Sequence, residues 1–328
     1  MDGLPLAADV GQSLTTVTPP SAVDIGRRVS IRIVAADGSS RDLVGMLTDL
    51  ITVRGRDGSG MPFDPAAISH WRLIPERAAR AGMGAPLSVR VRELEAAAAA
   101  TWPAEVSVMY GDWLLRASSG ITQRANSALP LGKPPGAIEQ GIARVIEFSG
   151  AEGITPAIQV PLPTCAELDQ VVGSLGWAVR SENHVLVHDT RSLELPDPGL
   201  VIRHDGEPTD DWQSVQGPDE AASIMRRYPA DYASVWVDGR AVGAGRIAIA
   251  DGWGIISRVF VSEEHRGRGM GAAVMRALAA TAQGARIERL ALQVNADNAA
   301  ALRLYARLGF RRHHRYRHWV LAEQEIAD

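Results

Sequence analysis

Between Asp24 and Pro75 apolar and polar positions alternate in short runs, the period of half-buried strands. Arg28–Val34 alternates, Asp37-Gly38 supplies a turn, Leu43–Thr52 is an apolar run, and Asp57-Gly58 marks a second turn. A compact all-β module fits this length. From Ser88 the period becomes helical. Ser88–Ala100 reads as a helix with Ser88 as its N-cap, Val91 and Leu94 on one face, and an alanine run from Ala96 to Ala100. The pattern then predicts a strand over Val106–Ala117 and an amphipathic helix over Ala137–Phe148, with Ile138, Ile142, Val145 and Ile146 on one face. A strand over Thr155–Val160, a helix over Ala166–Leu175 and a strand over His184–His188 follow. Past Leu200 the pattern predicts a helix near Glu220–Arg227 and strands at Ala233–Val237, Ala241–Ala250 and Ile255–Val261. A helix over Met270–Ala282, a strand over Arg289–Val294, a helix over Asp297–Leu308 and a strand over Arg315–Leu321 complete the chain.

Breakers divide this pattern. Residues 1–20 lack periodicity and read as a disordered tail. Gly82, Gly84 and Pro86 form one linker, and Pro196–Pro198 a second. The expected domains are therefore a small β-barrel at 21–80, a first lobe at 85–195 and a second at 200–328. The lobes share a weak repeat. Gln159-Val160, a helix and Leu175-Gly176-Trp177 parallel Gln293-Val294, a helix and Leu308-Gly309-Phe310. The spacing from valine to glycine is 16 residues in one copy and 15 in the other. Two related α/β (α+β) lobes follow, each with a mixed sheet flanked by helices.

Composition narrows the function classes. The 328 residues suit two or three domains, and a net charge of -4 argues against a dedicated nucleic-acid binder. No run approaches the roughly 18 apolar residues of a membrane span, and Met1-Asp2-Gly3-Leu4 does not begin an export signal, so a cytoplasmic protein is expected. Cys165 is the only cysteine, which excludes a disulfide framework and a cysteine-based zinc site. Lys133 is the only lysine and lies in a Pro/Gly loop, a poor setting for Schiff-base chemistry. In the β module seven arginines and six aspartates between residues 24 and 75 nearly cancel. Its expected role is structural or docking, toward a protein partner or a second copy of the chain.

The chemistry-bearing stretch is Val259-Phe260-Val261-Ser262-Glu263-Glu264-His265-Arg266-Gly267-Arg268-Gly269-Met270-Gly271. A strand enters a loop with glycines at i, i+2 and i+4, which opens into a helix striped by Val274, Met275 and Leu278. Backbone N–H groups at such a helix start converge on one point, and the macrodipole favours an anion there. Glycines let a phosphate approach without a Cβ in the way. Gly267-x-Gly269-x-x-Ala272 formally matches the dinucleotide fingerprint, but Glu288 precedes the next strand instead of ending it. A Walker loop is excluded because no Gly-Lys-Ser/Thr follows.

Arg266-x-x-Gly269-x-Gly271 after an apolar strand resembles the acetyl-CoA pyrophosphate loop of the GNAT N-acetyltransferase superfamily. Downstream, Asn298, Ala301-Leu302, Tyr305 and Leu308-Gly309-Phe310 are similar to that family's N-x-x-A-L-x-x-Y-x-x-x-G-F helix. The resemblance covers Leu200 to Leu321 and implies the GNAT fold with acetyl-CoA as cosubstrate and no metal. It implies that Val259, Phe260 and Val261 bind the pantetheine arm and that the Val259 amide is the oxyanion donor. Arg266, Gly267, Arg268, Gly269, Met270 and Gly271 would hold the pyrophosphate. Asn298 and Tyr305, seven residues apart on one helix face, would flank the cofactor, with Tyr305 protonating the leaving thiolate. Trp113–Arg116 through Arg124–Ser127 is similar to the degenerate first lobe of bacterial tandem GNAT proteins, some of which carry an SH3-like module. In that lobe Pro134 and Pro135 remove N–H donors where an anion cradle needs them.

One departure from the family is Ile255, where some members carry a catalytic glutamate. Asp238, Asp251, a water chain or no dedicated base are the alternatives. The basic stretch Arg311–His318 reads first as an edge strand with solvated charges, and second as a site for the 3′-phosphate or an acidic substrate. The implied activity is acetyl transfer to a primary amine of a small molecule or protein. A CoA sensor or scaffold, motivated by Ile255, and a nicotinamide oxidoreductase, disfavoured by Glu288, are the competing classes.

Overall fold

The computed structural model describes residues 19–21, 24–25, 28–35, 37–55, 59–73, 85–193, 199–217 and 221–321. The chain forms two compact units, Met1–Arg80 and Ala81–Asp328. In the first, β1 (Arg28–Val34), β2 (Ser40–Asp49), β3 (Thr52–Arg54), β4 (Gly60–Pro62) and β5 (Ile68–Leu73) form an antiparallel sheet. Its order is β4-β3-β2-β1-β5. Alternate residues Val29, Ile31, Ile33, Leu43 and Leu47 point inward onto Val53, Phe63 and Ile68. The apolar run Leu43–Thr52 is not one strand: a turn at Leu50-Ile51 separates β2 from β3. The expected turn at Asp57-Gly58, residues 1–18 of the tail, the glycines of the first linker and Pro196–Pro198 of the second lie outside the described residues.

The larger unit begins with α1 (Leu87–Ala100), β6 (Val106–Tyr110), β7 (Trp113–Ala117), β8 (Leu129–Pro130), α2 (Ile138–Ala151), β9 (Ala157–Leu162), α3 (Ala166–Ser174) and β10 (Ala178–Asp189). It continues with β11 (Val201–Asp205), α4 (Asp210–Gln216), α5 (Ala222–Met225), β12 (Asp231–Val237), β13 (Arg240–Ala250) and β14 (Trp253–Val261). The last elements are α6 (Met270–Gly284), β15 (Arg289–Asn295), α7 (Ala299–Arg307) and β16 (Arg311–Val320). The strand expected over Val106–Ala117 is a hairpin, turning at Gly111-Asp112. Leu87 precedes Ser88 inside α1, so Ser88 is not the cap. Ile146 is 39% exposed, and Phe148 takes its place beside Ile142 and Val145 in the core. Seven-residue α4, capped by Thr209 on the Trp212 N–H, was not signalled by periodicity.

The fold class is the expected α/β (α+β). Eight strands form one sheet in the order β11-β12-β13-β14-β15-β10-β16-β9, and β6-β7-β8 form a smaller one. The repeat is visible as β9-α3-β10 and β15-α7-β16, and the two copies exchange their last strands. β10 pairs with β15, β16 pairs with β9, and β10 and β16 pair with each other. β16 is therefore interior, which corrects the edge-strand reading. Two of its four arginines are paired: Arg315 and Arg317 bracket Glu182 at 2.9 and 3.1 Å, and Arg317 reaches Asp169 at 2.8 Å, while Arg311 and Arg312 at its start are exposed.

One face of the sheet packs on α6 through Ile247, Ile256, Leu290 and Leu292. The other carries α1, whose Leu94, Ala97 and Ala98 lie against Val185, Ile255, Ala291 and Tyr316. The alanine run lets α1 lie close to these strands. Within that contact Glu95 is buried and accepts from His314 Nε2 at 2.7 Å. Gln159 and Gln293, the equivalent glutamines of the repeat, both donate to its Oε2, at 2.8 and 3.4 Å. Arg116 donates to the Gln159 oxygen and Arg124 to the Gln293 oxygen, both at 2.9 Å. Removing Glu95 strands buried donors from both repeats. Glu95→Ala should cost about 3–5 kcal/mol in urea unfolding, whereas Glu182→Ala, at a half-exposed pair, should cost about 1 kcal/mol or less. Equal losses would show that Glu95 is not the tie between the repeats.

Candidate active site

β14 and β15 are the parallel pair, and their ladder runs only from Trp253/Arg289 to Ile256/Leu292. Beyond it β14 stays with β13 while β15 stays with β10 through Asn183/Asn295. A wedge therefore opens, with the main chain from Ser257 onward free of β15. The divergence is built by a bulge. Ala244 faces Phe260 and Arg246 faces Ser257, so Arg258 and Val259 together stand opposite Gly245. Arg258 adopts φ +57°, the left-handed conformation that a bulge residue takes.

The strand leads through a short 3₁₀ turn, Glu263–His265, to the glycine loop. Arg266 is exposed and its Nε donates to the Val261 carbonyl at 3.3 Å. Gly267 and Gly269 take φ of +75° and +85°, and a Cβ on either would meet nothing within 4 Å. Gly269 starts α6 without any side-chain cap. The first helical bond of this start is Ala273 N–H to the Gly269 carbonyl, so the N–H groups of Met270, Gly271 and Ala272 have no intrahelical partner. Gly271 differs: its Cβ would lie 3.0 Å from Leu304 Cδ2 of α7. Its missing side chain sets the separation of α6 and α7.

Both helices start at the open end of the wedge, each following one of its strands. Asn298 is the N-cap of α7, its side chain accepting from the Ala301 N–H at 3.0 Å, so the helix starts at Ala299 and not at the expected Asp297. Tyr305 is 7% exposed among the α6-facing core residues, with Phe310 at 5.9 Å between ring centroids. Burial pushes its phenol up to about 12, so it keeps its proton at neutral pH.

Residues 88–319 match the family model described as "Probable histone acetyltransferase Rv0428c C-terminal", well over half of the chain. The chain belongs to this family. It is an acetyltransferase of the GNAT type. "Probable histone acetyltransferase Rv0428c" of Mycobacterium tuberculosis is 28% identical over 316 residues, covering 90% of this chain and 94% of that protein. "Uncharacterized N-acetyltransferase YobR" of Bacillus subtilis is 29% identical over 234 residues, covering 67% of this chain and 94% of that protein. A GCN5-related N-acetyltransferase from Kribbella flavida shares the fold, with TM-score 0.58 and 19% identity over 73% of this chain and 98% of its own.

The family's cosubstrate is acetyl-CoA, and the loop of this acetyltransferase fits a pyrophosphate: two left-handed glycines face open space beside helix N–H groups that have no intrahelical partner. The opposite face of the wedge was not legible in the sequence. Ser257 and Gln293 stand at the first register position past the last pair. Gln216 Nε2 donates to the Arg258 carbonyl at 2.9 Å. Its Oε1 and the Ser257 Oγ are buried with no partner among the described residues. Arg124 reaches Gln293 from the segment before β9, and Arg246 is fully buried, donating to the Tyr232 hydroxyl and the Thr101 carbonyl. Gln293 and Arg124 lie in stretches that the repeat and the first-lobe resemblance had marked, whereas Gln216 lies on the unforeseen α4.

Among the described residues no carboxylate stands at the positions expected of a base. Ile255 is packed against α1. Asp251 lies in the hairpin before Trp253, at the opposite end of β14 from the wedge, and Asp238 is exposed in the turn between β12 and β13. Glu95 is 1% exposed and its oxygens are taken by His314, Gln159 and Gln293. Among the described residues no group of three His, Cys, Asp or Glu could hold a metal ion. No described helix is long and apolar enough to cross a membrane.

In the first repeat a cavity of about 700 Å³ opens beside Lys133. It is lined by Trp113, Leu131, Pro134, Ile138 and Cys165, whose thiol burial keeps protonated. The contrasting glycines of the α6 loop are separable by mutation. Gly271→Val should press Leu304 and lower stability by about 1–3 kcal/mol, and Gly269→Ala should cost about 1 kcal/mol of backbone strain. Thermal melts without ligand check this; a harmless Gly271→Val would remove it from the α6–α7 contact.

Proposed function

We propose that the larger unit transfers the acetyl group of acetyl-CoA directly to a primary amine of a small molecule or protein. The observation that carries this reading is a shared opening. The wedge past Ile256/Leu292, the uncapped start of α6 and the start of α7 all lie at one end of the β14/β15 pair. Val259, Phe260 and Val261 would hold the pantetheine arm with main-chain groups that β15 leaves free. Arg266 to Gly271 would hold the pyrophosphate, with Asn298 and Tyr305 bordering the groove. When bound, acetyl-CoA supplies the acetyl group and the thiol that leaves. The Val259 N–H donates to the thioester carbonyl oxygen and strengthens as charge develops there. Tyr305 donates its proton to the departing sulfur. Ser257 Oγ and Gln216 Oε1 take N–H groups of the incoming amine, which attacks without a carboxylate base; the proton its nitrogen loses as the C–S bond breaks passes to solvent, from which Tyr305 is reprotonated.

A protein amine stays among the acceptors because one relative carries the name histone acetyltransferase. The small β unit is assigned to docking, as an SH3-like module toward a partner or a second copy, and the compartment is the cytoplasm. The second reading, a CoA sensor without turnover, is favoured by Ile255 alone.

Acetyl-CoA at roughly a hundred times its Kd should stabilise the protein by about 2.7 kcal/mol. Gly269→Val should lose most of the shift, because a branched side chain enters the space before the loop. An unchanged shift, or acetyl-CoA found beside Lys133, would reassign the site. Thiol release across a panel of amines separates the enzyme from the sensor. Tyr305→Phe keeps the ring and loses the proton donor. Turnover should fall roughly 10–100-fold, about 1.4–2.7 kcal/mol, with acetyl-CoA affinity little changed. Full turnover in that variant would leave Tyr305 a packing residue only.

A further inference from the structure

We propose that the loop over residues 118–126 and the adjoining ends of β9, β10 and β16 form a second ligand site, which takes a small oxyanion, a carboxylate or a phosphate. A cavity of about 410 Å³ lies there, apart from the glycine loop of α6, and no carboxylate lines it. Its polar lining includes Ser119, Thr122, Thr155, Arg180 and His318.

The deciding group is His318, on β16 and only 2% exposed. Its Nδ1 is buried without a partner among the described residues. Its Nε2 faces the Ser127 hydroxyl at 3.5 Å. Arg116 already donates to that hydroxyl oxygen at 3.0 Å, so the Ser127 proton is free to turn toward Nε2. With Nε2 accepting from Ser127, the histidine proton would sit on Nδ1, a buried N–H with no acceptor among the described residues on a side chain that lines the cavity. Burial and the charges of Arg116, Arg124 and Arg180 push His318 down to about 3, so it stays a neutral donor. Arg180 is exposed at the β10 bulge, with no ion-pair or hydrogen-bond partner among the described residues. An unpaired N–H, a free guanidinium and hydroxyls ask for an acceptor-rich, negatively charged ligand.

The loop is built to hold this shape. Ser119, Gly120 and Thr122 take φ of 49°, 77° and 59°, conformations that cost energy for the two non-glycines. Asn126 fixes them with all four of its bonds: Oδ1 accepts from Ser118 and Gly120 N–H, and Nδ2 donates to the carbonyls of Ile121 and Thr122. Gln123, also in the lining, accepts from the Ser181 hydroxyl. The next residue, Arg124, reaches Gln293 at the wedge. The segment that would grip the anion is thus the one that touches the acetyl-transfer mouth.

The test uses the full chain saturated with acetyl-CoA, so that the α6 loop is filled, and titrates inorganic phosphate or succinate by calorimetry and thermal melt. At least one probe should bind saturably and raise the melting temperature. Phosphate alone identifies a phosphorylated ligand, succinate alone a carboxylate, and either supports the site. Arg180→Gln, at an exposed position that leaves folding intact, should weaken binding roughly tenfold or more. His318→Phe, which keeps the volume and removes the N–H, should do the same. Gly269→Val should leave anion binding unchanged. Absence of binding for both probes at about tens of millimolar, competition by acetyl-CoA, or full affinity in Arg180→Gln would each overturn the proposal.

Discussion

A carboxylate taken out of water must be fully hydrogen-bonded, and Glu95 meets that demand by drawing on both halves of the larger unit. Its donors come from β9, β15 and β16, elements 64 to 219 residues away in sequence. No single repeat could satisfy it. Gln159 and Gln293 are each held in turn by an arginine from the segment before β9, so the two copies meet in a matched arrangement around one charge. The alanines beside Glu95 on α1 let the helix approach close enough for these bonds to form. Burying such a group is expensive. What it gains is a fixed relation between two halves that the exchanged strands β10 and β16 already interleave.

That exchange also makes the wedge affordable for the backbone. A strand leaving its neighbour exposes N–H and C=O groups that must find partners. β15 departs from β14 after Leu292 but keeps β10 on its other edge to Asn295, so only the edge facing the wedge is free. β14 departs through the bulge at Arg258 and keeps β13. Each strand retains one neighbour, β14 with the bulge at Arg258, and offers one open edge. The free edges face each other where α6 and α7 begin, which concentrates main-chain donors and acceptors at one mouth. The first half of the larger unit therefore contributes to the site twice, through β10 behind β15 and through Arg124 against Gln293.

Local signals carried much of this. The glycine loop, the helix that follows it and the helix bearing Tyr305 were legible because backbone conformation and 3.6-residue periodicity are written in adjacent residues. The repeat was visible because Gln159 and Gln293 occupy the same place before their helices. The strand exchange was not, since nothing in β10 names a partner a hundred residues downstream. β16 was misjudged for the same reason. Its dense charge looks solvated until Glu182, Asp169 and Glu95 arrive from three other elements. Short α4 lacked the length for a periodic signal, and with it Gln216 was hidden. Of the three loop glycines, sequence alone treated all as serving the ligand, and only the helix packing against Leu304 sets Gly271 apart.

The absence of a base at residue 255 has a structural cause in the same architecture. Ile255 points at α1, into a cluster with Leu94, Ala97 and Trp253 that leaves no room for a solvated carboxylate. A glutamate there would be buried in apolar surroundings, and its ionised form would be heavily disfavoured. Covering the sheet with α1 thus removes a general base at the position where the resemblance would place one. General base catalysis typically contributes about 10²–10⁴-fold, whereas holding two reactants in line can be worth effective molarities of about 10⁵–10⁸ M. The larger of these contributions survives the loss of the smaller. Under the proposed reaction the amine has to arrive already neutral, and the buried guanidinium of Arg246 with Arg124 nearby makes an ammonium unwelcome at the mouth. If the proposed reaction holds, the first half of the larger unit, through α1 and Arg124, would leave this wedge to admit the acceptor in its uncharged form and not to take a proton from an ammonium with a carboxylate.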